Sequence, residues 1–149
     1  MKVWKEDNLL RRVRESRKVV ARDKNHLKQL ILERINKFGY HCNLNNIDVS
    51  QITDMSGLFW WGDLYKFNGD ISQWDVSNVK NMAGMFELSR FNGDISNWDV
   101  SNVKNMERMF MGARFMRDIS NWDVSNVKNM HWMFLNSSLD GNEPDWYKD

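Results

Sequence analysis

Carboxylates recur at a fixed interval along most of the chain. One aspartate appears in each copy of an internal repeat, at Asp48, Asp75, Asp99 and Asp123. Rows of oxygen ligands can hold a hard cation such as calcium, and paired carboxylates can act as general acid and base. An identical, repeated ladder lacks the differing surroundings that separate an acid from a base. We therefore expect these aspartates to accept hydrogen bonds from nearby Ser, Asn or backbone groups, with neither a bound metal nor catalysis.

Other residue types give no pattern for chemistry either. His26, His41 and His131 lie in unrelated contexts, and Cys42 is the single cysteine. No H-x-x-x-H or C-x-x-C spacing of a zinc site is present. The paired methionines of each repeat could suggest a soft-metal site, but packing material is the more common role of such residues. The tryptophans that recur in register, Trp74, Trp98, Trp122 and Trp146, are likewise expected in the core, where each indole N–H needs a partner. The sequence predicts no catalytic residues, no cofactor and no enzyme.

Residues suited to binding another protein lie where the internal copies differ. The first half of each repeat is nearly invariant, whereas the second half and the loop that follows it vary. An invariant face would offer the same contacts to a partner shifted by one repeat, so a specific partner is expected on the varied face, and the column of Asp48, Asp75, Asp99 and Asp123 is the second choice of binding surface. Aromatic, Met and Arg side chains dominate binding energy in protein interfaces, and here they are Trp60, Trp61, Tyr65, Met111, Arg114 and Trp132. Free drift of positions that packing does not restrict would produce the same variation.

The elements that position these side chains are set by the repeat. ISNWDVSNVKNM occurs at 95–106 and 119–130, and ISQWDVSNVKNM occurs at 71–82. A fixed period of 24 residues is typical of a solenoid. Trp98 and Val100 lie two apart, as on one face of a strand, and Val103, Met106 and Phe110 follow the spacing of a helix face. We predict an α/β, leucine-rich-repeat-like solenoid with short parallel strands and short helices.

The chain divides into a leading segment and the repeats. Residues 44–149 hold four repeats and a partial fifth, and residues 1–43 form a basic segment and a helix. Asp23 is a good N-cap, Leu27, Leu30, Ile31, Ile35 and Phe38 follow helical spacing, and Gly39 is a good C-terminal stop. Because the end of a solenoid exposes apolar surface, this helix is predicted to be an N-terminal cap.

Charge is distributed unevenly between these two parts. Residues 1–28 carry ten Lys or Arg against four Asp or Glu, while the remaining residues carry eleven against sixteen. A basic head can bind nucleic acid, and Arg11, Arg12, Arg14, Arg17, Lys18 and Arg22 are the candidates. A solvated helical cap explains the same charges, so nucleic acid is the alternative partner and another protein is the expected one.

The motif F-N-G-D-I-S-N-W-D-V-S-N-V-K-N-M-x-x-M-F resembles the repeat of BspA-like leucine-rich-repeat surface proteins, a type widespread in mycoplasma lipoproteins. The resemblance covers about residues 44–142. It implies a leucine-rich-repeat-like solenoid, frequent location at the cell surface, and roles in adhesion or protein binding. It brings no catalytic residues.

The first residues of the chain favour a different location. Residues 1–30 contain no apolar run of the length of a signal peptide and no lipoprotein cysteine, and no later segment is long and apolar enough to span a membrane. We therefore expect a cytoplasmic protein. The sequence predicts a non-enzymatic protein-binding module, either an adhesion protein or an interaction or inhibitor protein, with a purely structural role as a further alternative.

Overall fold

The regular elements lie mainly in the first half of the chain. The computed structural model describes residues 8–10, 12–13 and 16–149. Strand β1 spans Val19–Val20, helix α1 spans Lys24–Phe38, strand β2 spans Ile47–Asp48, and a 3-10 helix spans Gly62–Lys66. Strands β1 and β2 pair in parallel, with Val19 opposite Ile47. The N-terminal part of the chain thereby adds a strand to the first repeat.

Helix α1 begins and ends where the sequence predicts. The Asp23 side chain accepts a hydrogen bond of 2.8 Å from the His26 N–H at the first turn. Gly39 ends the helix with φ at 85°, and its N–H donates to the Ile35 carbonyl. Leu27, Ile31 and Ile35 are buried and join the same apolar cluster as the repeats. Their spacing of four places one face of the helix against the first repeat.

Backbone hydrogen bonds join each repeat to the next one. In the second repeat (71–94), the N–H groups of Met82 and Phe86 donate to the carbonyls of Asn105 and Met109 at 2.8 and 2.9 Å. The pattern recurs one repeat later, where Met106 N–H donates to the Asn129 carbonyl at 2.8 Å. Parallel bridges connect Asp54, Asn81, Asn105 and Asn129 in sequence. The repeats therefore stack in register, each contacting its neighbours in the chain.

The short helix expected in each repeat is replaced by turns. Residues 40–149 are all described, and the 3-10 helix is the helical segment within them. Over 82–89, Met85, Glu87 and Ser89 each donate to the carbonyl three residues earlier. The alternate N–H groups donate to the next repeat, so they cannot make the bonds to i−4 that an α-helix requires. The short strand expected at Trp98 and Val100 is likewise replaced by a turn, because the Trp98 N–H bonds the Ile95 carbonyl, and strand β2 of the first repeat is the one strand within residues 40–149.

Aromatic side chains form continuous columns through the core. Phe86 lies between Phe59 and Phe110, with ring centroids 5.4 and 5.6 Å apart and nearly parallel planes. Trp74 and Trp98 stack at 6.5 Å, and both are 4% exposed. The methionines beside them, Met82, Met85, Met106, Met109 and Met133, have no exposed surface. The predicted assignment of Trp and Met to the core is confirmed for these residues and Trp122, whereas Met130 and Trp146 are partly buried.

Each indole N–H in the column donates across a repeat boundary. Trp74 Nε1 donates to the Leu44 carbonyl, Trp98 Nε1 to Ile71 and Trp122 Nε1 to Ile95, at 3.0 to 3.1 Å. Trp146 makes the same bond to Ile119 at 3.0 Å. A buried indole N–H needs such a partner. The tryptophans therefore tie successive repeats together by both stacking and hydrogen bonding.

Candidate functional site

The carboxylates of the aspartate column accept hydrogen bonds from residues close to them in the sequence. Asp99 Oδ1 accepts from the N–H and the hydroxyl of Ser101, at 3.0 and 2.6 Å. Asp75 makes the same pair of bonds to Ser77, and the remaining members, Asp48 and Asp123, accept from the N–H groups of Ser50 and Ser125. Each carboxylate thus closes a turn by bonding two residues ahead. The structure agrees with the hydrogen-bonded interpretation of this column.

The same bonds favour the charged form of these carboxylates. The Ser101 hydroxyl and the Ser101 N–H together lower the pKa of Asp99, while neighbouring Asp123 opposes them. The N–H and hydroxyl of Ser96 likewise lower the pKa of Asp94, which forms a second acidic column with Asp70 and Asp118. Hydrogen bonds to an ionised carboxylate stabilise it. Repulsion along the column is therefore offset by serine donors.

No metal centre is formed by the part of the chain that the structure describes. There, no group of three or more His, Cys, Asp or Glu side chains converges as a metal site would require. Asn81, Asn105 and Asn129 occupy the third turn of each repeat and accept the same i+2 N–H bond that the aspartates accept elsewhere. A neutral amide thus performs the structural task of the carboxylates.

Two of the predicted binding residues line a groove on the varied side of the stack. We name it the turn groove. It encloses about 560 Å³ and is lined by Lys28, Ser56, Gly57, Trp60, Trp61, Ala83, Gly84, Glu87, Glu107 and Arg108. Trp61 is 74% exposed and Trp60 is 43% exposed, with the two ring centroids 5.8 Å apart. The groove therefore brings together the aromatic loop and the positions that differ among the repeats.

Charged side chains line part of the turn groove. Arg108 Nε lies 3.6 Å from Glu107 Oε1, which is too long for a hydrogen bond. It is a buried donor without a hydrogen-bond acceptor among the described residues. Burial raises the pKa of Glu87, Arg108 opposes that rise and Glu107 adds to it. The groove thus combines exposed indole surface with a partly desolvated acid and a donor that lacks an acceptor.

Arg108 and Trp132 share an unusual backbone conformation. Both have positive φ, at 53° and 55°, and the matching residues of the earlier repeats are Gly57 and Gly84. Residues other than Gly, Asn and Asp rarely adopt this left-handed backbone conformation. The Arg108 guanidinium lies 4.9 Å from the centroid of the Trp132 ring, and Trp132 is 38% exposed. Trp132 therefore extends the turn groove toward the fourth repeat.

A second groove is bordered by basic residues. We name it the basic groove. It encloses about 820 Å³ and is lined by Tyr40, His41, Lys66, Asn68, Arg90, Asn92, Arg114, Met116 and Ser138. Lys66, Arg90 and Arg114 stand 24 residues apart, one in each of three repeats. The groove thus carries a column of cations in register.

The six predicted binding residues consequently belong to different surfaces. Trp60, Trp61 and Trp132 lie at or beside the turn groove. Arg114 lines the basic groove, and the half-buried Tyr65 lies beneath Arg90, 5.6 Å from its guanidinium carbon. Met111 is half-buried, and its carbonyl accepts the Leu88 N–H. The structure does not join the six into one patch.

The comparison with protein families matches the repeats and helix α1 together. A family model described as mycoplasma protein of unknown function, DUF285, matches residues 27–146. The chain belongs to this family. No curated protein and no solved structure shows significant similarity to it. The family description itself assigns no activity to this DUF285 chain.

The basic head of the DUF285 chain is only partly described. Arg11 and Arg14 lie outside the described residues, whereas Arg12, Arg17, Lys18 and Arg22 are exposed. Arg22 donates from its backbone N–H and its Nε to His26 Nδ1, at 3.2 and 3.3 Å. Among the helices of the described residues, none has the length and apolar character to cross a membrane.

Several residues of the two grooves were not selected from the sequence. Glu107 and Arg108 belong to the varied positions. Glycine at the positions that match Arg108 (Gly57 and Gly84) was the signal for the positive φ of Arg108. Lys66 and Arg90 are visible as a column with Arg114 once the repeats are aligned. Lys28 reaches the turn groove from helix α1, and no sequence signal indicates that contact.

Proposed function

We propose that this chain is a non-enzymatic protein-binding module of the BspA-like, leucine-rich-repeat-like type, and that its turn groove holds the partner. The proposed fold is an α/β solenoid capped by helix α1. Three features support it, namely the 24-residue period, the ladder from Met82 to Asn105 that recurs one repeat later, and the apolar face that α1 packs on the first repeat.

One observation carries the choice of the turn groove. Arg108 and Trp132 occupy a positive-φ turn position that earlier repeats fill with Gly57 and Gly84. Each non-glycine residue in such a conformation costs on the order of 1–2 kcal/mol. The contact between the Arg108 guanidinium and the Trp132 ring, at 4.9 Å, recovers part of that cost, but Trp132 remains 38% exposed. Leu88 and Asn136 adopt the same conformation, so the exposed indole of Trp132 beside Arg108, and not the conformation alone, supports contact with something outside the chain.

The chemistry of the turn groove suits a protein surface. Trp60 and Trp61 offer large apolar area with an N–H donor, a combination enriched at the energetic centres of interfaces. Glu87 and Arg108 add charges that can fix the orientation of a partner. The 3-10 helix that follows Trp61 buries Leu64, which anchors the aromatic loop to the core. The groove thus has anchor residues on a supported backbone.

Binding variants test this function. Pull-down from cells that make the protein, with chemical cross-linking, provides the partner. Trp60→Ala or Trp61→Ala should weaken its binding by more than about 2 kcal/mol. Phe38→Ala is the matched control, because Phe38 is a 41% exposed aromatic residue outside both grooves. Near-ultraviolet circular dichroism verifies that each variant is folded.

The opposite result would assign the partner to the other face. Normal binding by both Trp variants, combined with loss of binding by Asp99→Asn and Asp123→Asn, would contradict the turn groove. Asn preserves the acceptor that closes the turn, so those two substitutions remove charge while keeping the fold.

The same binding function suits an adhesion protein at the cell surface or an interaction or inhibitor protein in the cytoplasm. We propose the cytoplasmic location because the single cysteine, Cys42, is a buried free thiol, as is common in a reducing compartment. Protease treatment of intact cells, followed by detection of the full-length protein, tests it. Protection until the cells are lysed is the expected result, and cleavage on intact cells would place the chain at the surface.

A further inference from the structure

The basic groove is set apart from the turn groove by its charge. Lys66, Arg90 and Arg114 line it, and none of its lining residues is acidic. Arg90 and Arg114 are exposed, and Lys66 is half-buried. Asp63 is the carboxylate paired with Lys66, at 3.6 Å, and it is not part of the lining. Residues 29–149 carry more Asp and Glu than Lys and Arg, so this column of positive charge differs from the rest of the stack.

Aromatic rings hold two of these cations in place. Lys66 Nζ lies 5.6 Å from the Tyr40 ring centroid and 5.7 Å from that of Tyr65. The Arg90 guanidinium carbon lies 5.6 Å from the Tyr65 centroid. A cation over an aromatic face is attracted by the ring quadrupole and retains its full charge. The cations are therefore positioned by rings and stay available to an anion.

The spacing of successive repeats beside the basic groove is given by the residues that follow the cations. Phe67, Phe91 and Phe115 directly follow Lys66, Arg90 and Arg114 in the sequence, and their ring centroids are 6.1 and 6.3 Å apart. In an extended peptide, alternate side chains share one face at about 6.4–6.8 Å. Successive repeats are thus spaced at about the interval of every second side chain of an extended peptide.

Amide groups lie beside the cations in the same groove. Asn68 Oδ1 accepts the Asn92 N–H at 2.8 Å, and Asn92 Oδ1 accepts the Met116 N–H at 3.0 Å. Because each oxygen is used in this way, the Nδ2 amino groups are the parts of these side chains that can donate to a ligand. Donors of this kind suit the carbonyl groups of an extended peptide.

We propose that the basic groove binds an extended acidic peptide segment whose acidic side chains alternate with other residues. Each of Lys66, Arg90 and Arg114 pairs with one carboxylate, and the peptide runs along the stack across three repeats. This site is independent of the turn groove, since the two share no lining residue.

The charge of the surrounding stack favours a short peptide over a nucleic acid. Residues 29–149 carry eleven Lys or Arg against sixteen Asp or Glu, so a long polyanion that extends beyond the basic groove would meet an acidic surface. Each exposed ion pair contributes little, so one isolated pair would not bind. Affinity depends on all three pairs forming together, which requires the correct interval.

The experiment uses fluorescence anisotropy with labelled peptides at low ionic strength, where exposed charges are least screened. The probe is a seven-residue peptide that alternates Ser and Asp. Its control is an isomer with the same composition in which the three Asp residues are consecutive. A single-stranded oligothymidylate of equal charge provides the nucleic-acid comparison.

Variants identify the groove. Arg90→Gln and Arg114→Gln should each weaken binding of the alternating peptide by roughly two- to fivefold, and the double variant by at least about fourfold. Lys104→Gln is the matched control, because Lys104 is an exposed cation of the same stack outside the groove. Trp61→Ala should leave peptide binding unchanged, and it separates this site from the proposed protein partner.

The alternating peptide should bind more tightly than its isomer and the oligothymidylate. Equal binding of the two peptides would overturn the proposed register, and tighter binding of the oligothymidylate would identify a nucleic-acid groove instead. An equal loss with Lys104→Gln, or no loss with the two arginine variants, would also overturn the proposal.

Discussion

Truncation of one tryptophan tests whether the core columns hold the repeats together. Trp98 is 4% exposed, stacks on Trp74 at 6.5 Å and contacts Phe86 at 6.3 Å. Its Nε1 donates to the Ile71 carbonyl of the preceding repeat. We expect Trp98→Ala to reduce the free energy of unfolding severely, because it removes stacking and a hydrogen bond at an internal boundary.

The magnitude follows from the burial and the bonds of the side chain. Truncating a large buried aromatic residue to Ala costs about 3–5 kcal/mol, of which the hydrogen bond contributes about 1 kcal/mol. Trp98→Phe keeps a ring in the column and leaves the Ile71 carbonyl without its donor, so it should cost about 1–3 kcal/mol. Trp146 is half-buried, and Trp146→Ala should cost roughly half as much as Trp98→Ala.

Urea unfolding of the three variants, followed by circular dichroism in the near and far ultraviolet, measures these differences. Coincident transitions at the two wavelengths check that unfolding is two-state, which a stack of repeats does not guarantee. Equal and small losses at Trp98 and Trp146 would refute the column as the source of stability. If Trp98→Phe costs as much as Trp98→Ala, the hydrogen bond and not the stacking would hold the boundary.

Three further predictions concern the turns and the helix. Serine donors lower the pKa of Asp99 from its ordinary value of 3.8. The stability that ionised Asp99 gives the folded protein is therefore fully present above pH 3.8 and is lost as the pH falls through the lowered folded-state pKa. Urea midpoints should decline in that range, less steeply for Asp99→Asn. Gly84→Ala should cost about 1–2 kcal/mol, because the backbone there has a φ of +60°. Arg108→Gly should relieve a similar strain but lose the contact with the Trp132 ring, so thermal melts should show a net change in the free energy of unfolding of less than about 1 kcal/mol. Leu27→Ala should cost about 2–5 kcal/mol and the exposed Glu33→Ala less than about 0.5 kcal/mol in urea melts, and similar losses would show that helix α1 does not pack on the stack.

Features set by local spacing were predicted well from the sequence. The 24-residue register of the tryptophans indicated a buried column, and the indole bonds to Ile71 and Ile95 supply the partners that such a column needs. Asp23 and Gly39 marked the ends of helix α1. The alternation of Trp98, Asp99 and Val100 is also present, since the outer two are buried and Asp99 is exposed.

The local backbone of the repeat was not predicted, since the Trp98 segment is a turn and not a strand and the second half is not a helix. The spacing of Val103, Met106 and Phe110 fits a helix, but a chain of turns places the same three residues in the core. Spacing alone cannot separate the two, because the choice depends on bonds to the next repeat. Gly57 and Gly84 in the middle of that segment were the available signal, since glycine is unfavourable inside a helix.

The arrangement of the candidate sites depended on the path of the loop after Trp60. The sequence placed Trp61 and Tyr65 in one group of candidate binding residues. Tyr65 lies within the 3-10 helix over Gly62–Lys66 and contacts Arg90 and Lys66, while Trp61 remains exposed. Contacts between repeats decide this division, and one repeat considered alone does not reveal it.

The interchangeable boundaries between repeats have an evolutionary consequence. Met82 bonds Asn105 as Met106 bonds Asn129, and Trp98 bonds Ile71 as Trp122 bonds Ile95. An additional copy of 24 residues inserted between the second and third repeats would therefore meet the same partners on both sides. Near-identical gene segments recombine out of register, so such length variants arise readily, and each one would fold with an extended turn groove. Selection can thus adjust the reach of this surface by whole repeats without redesigning its core.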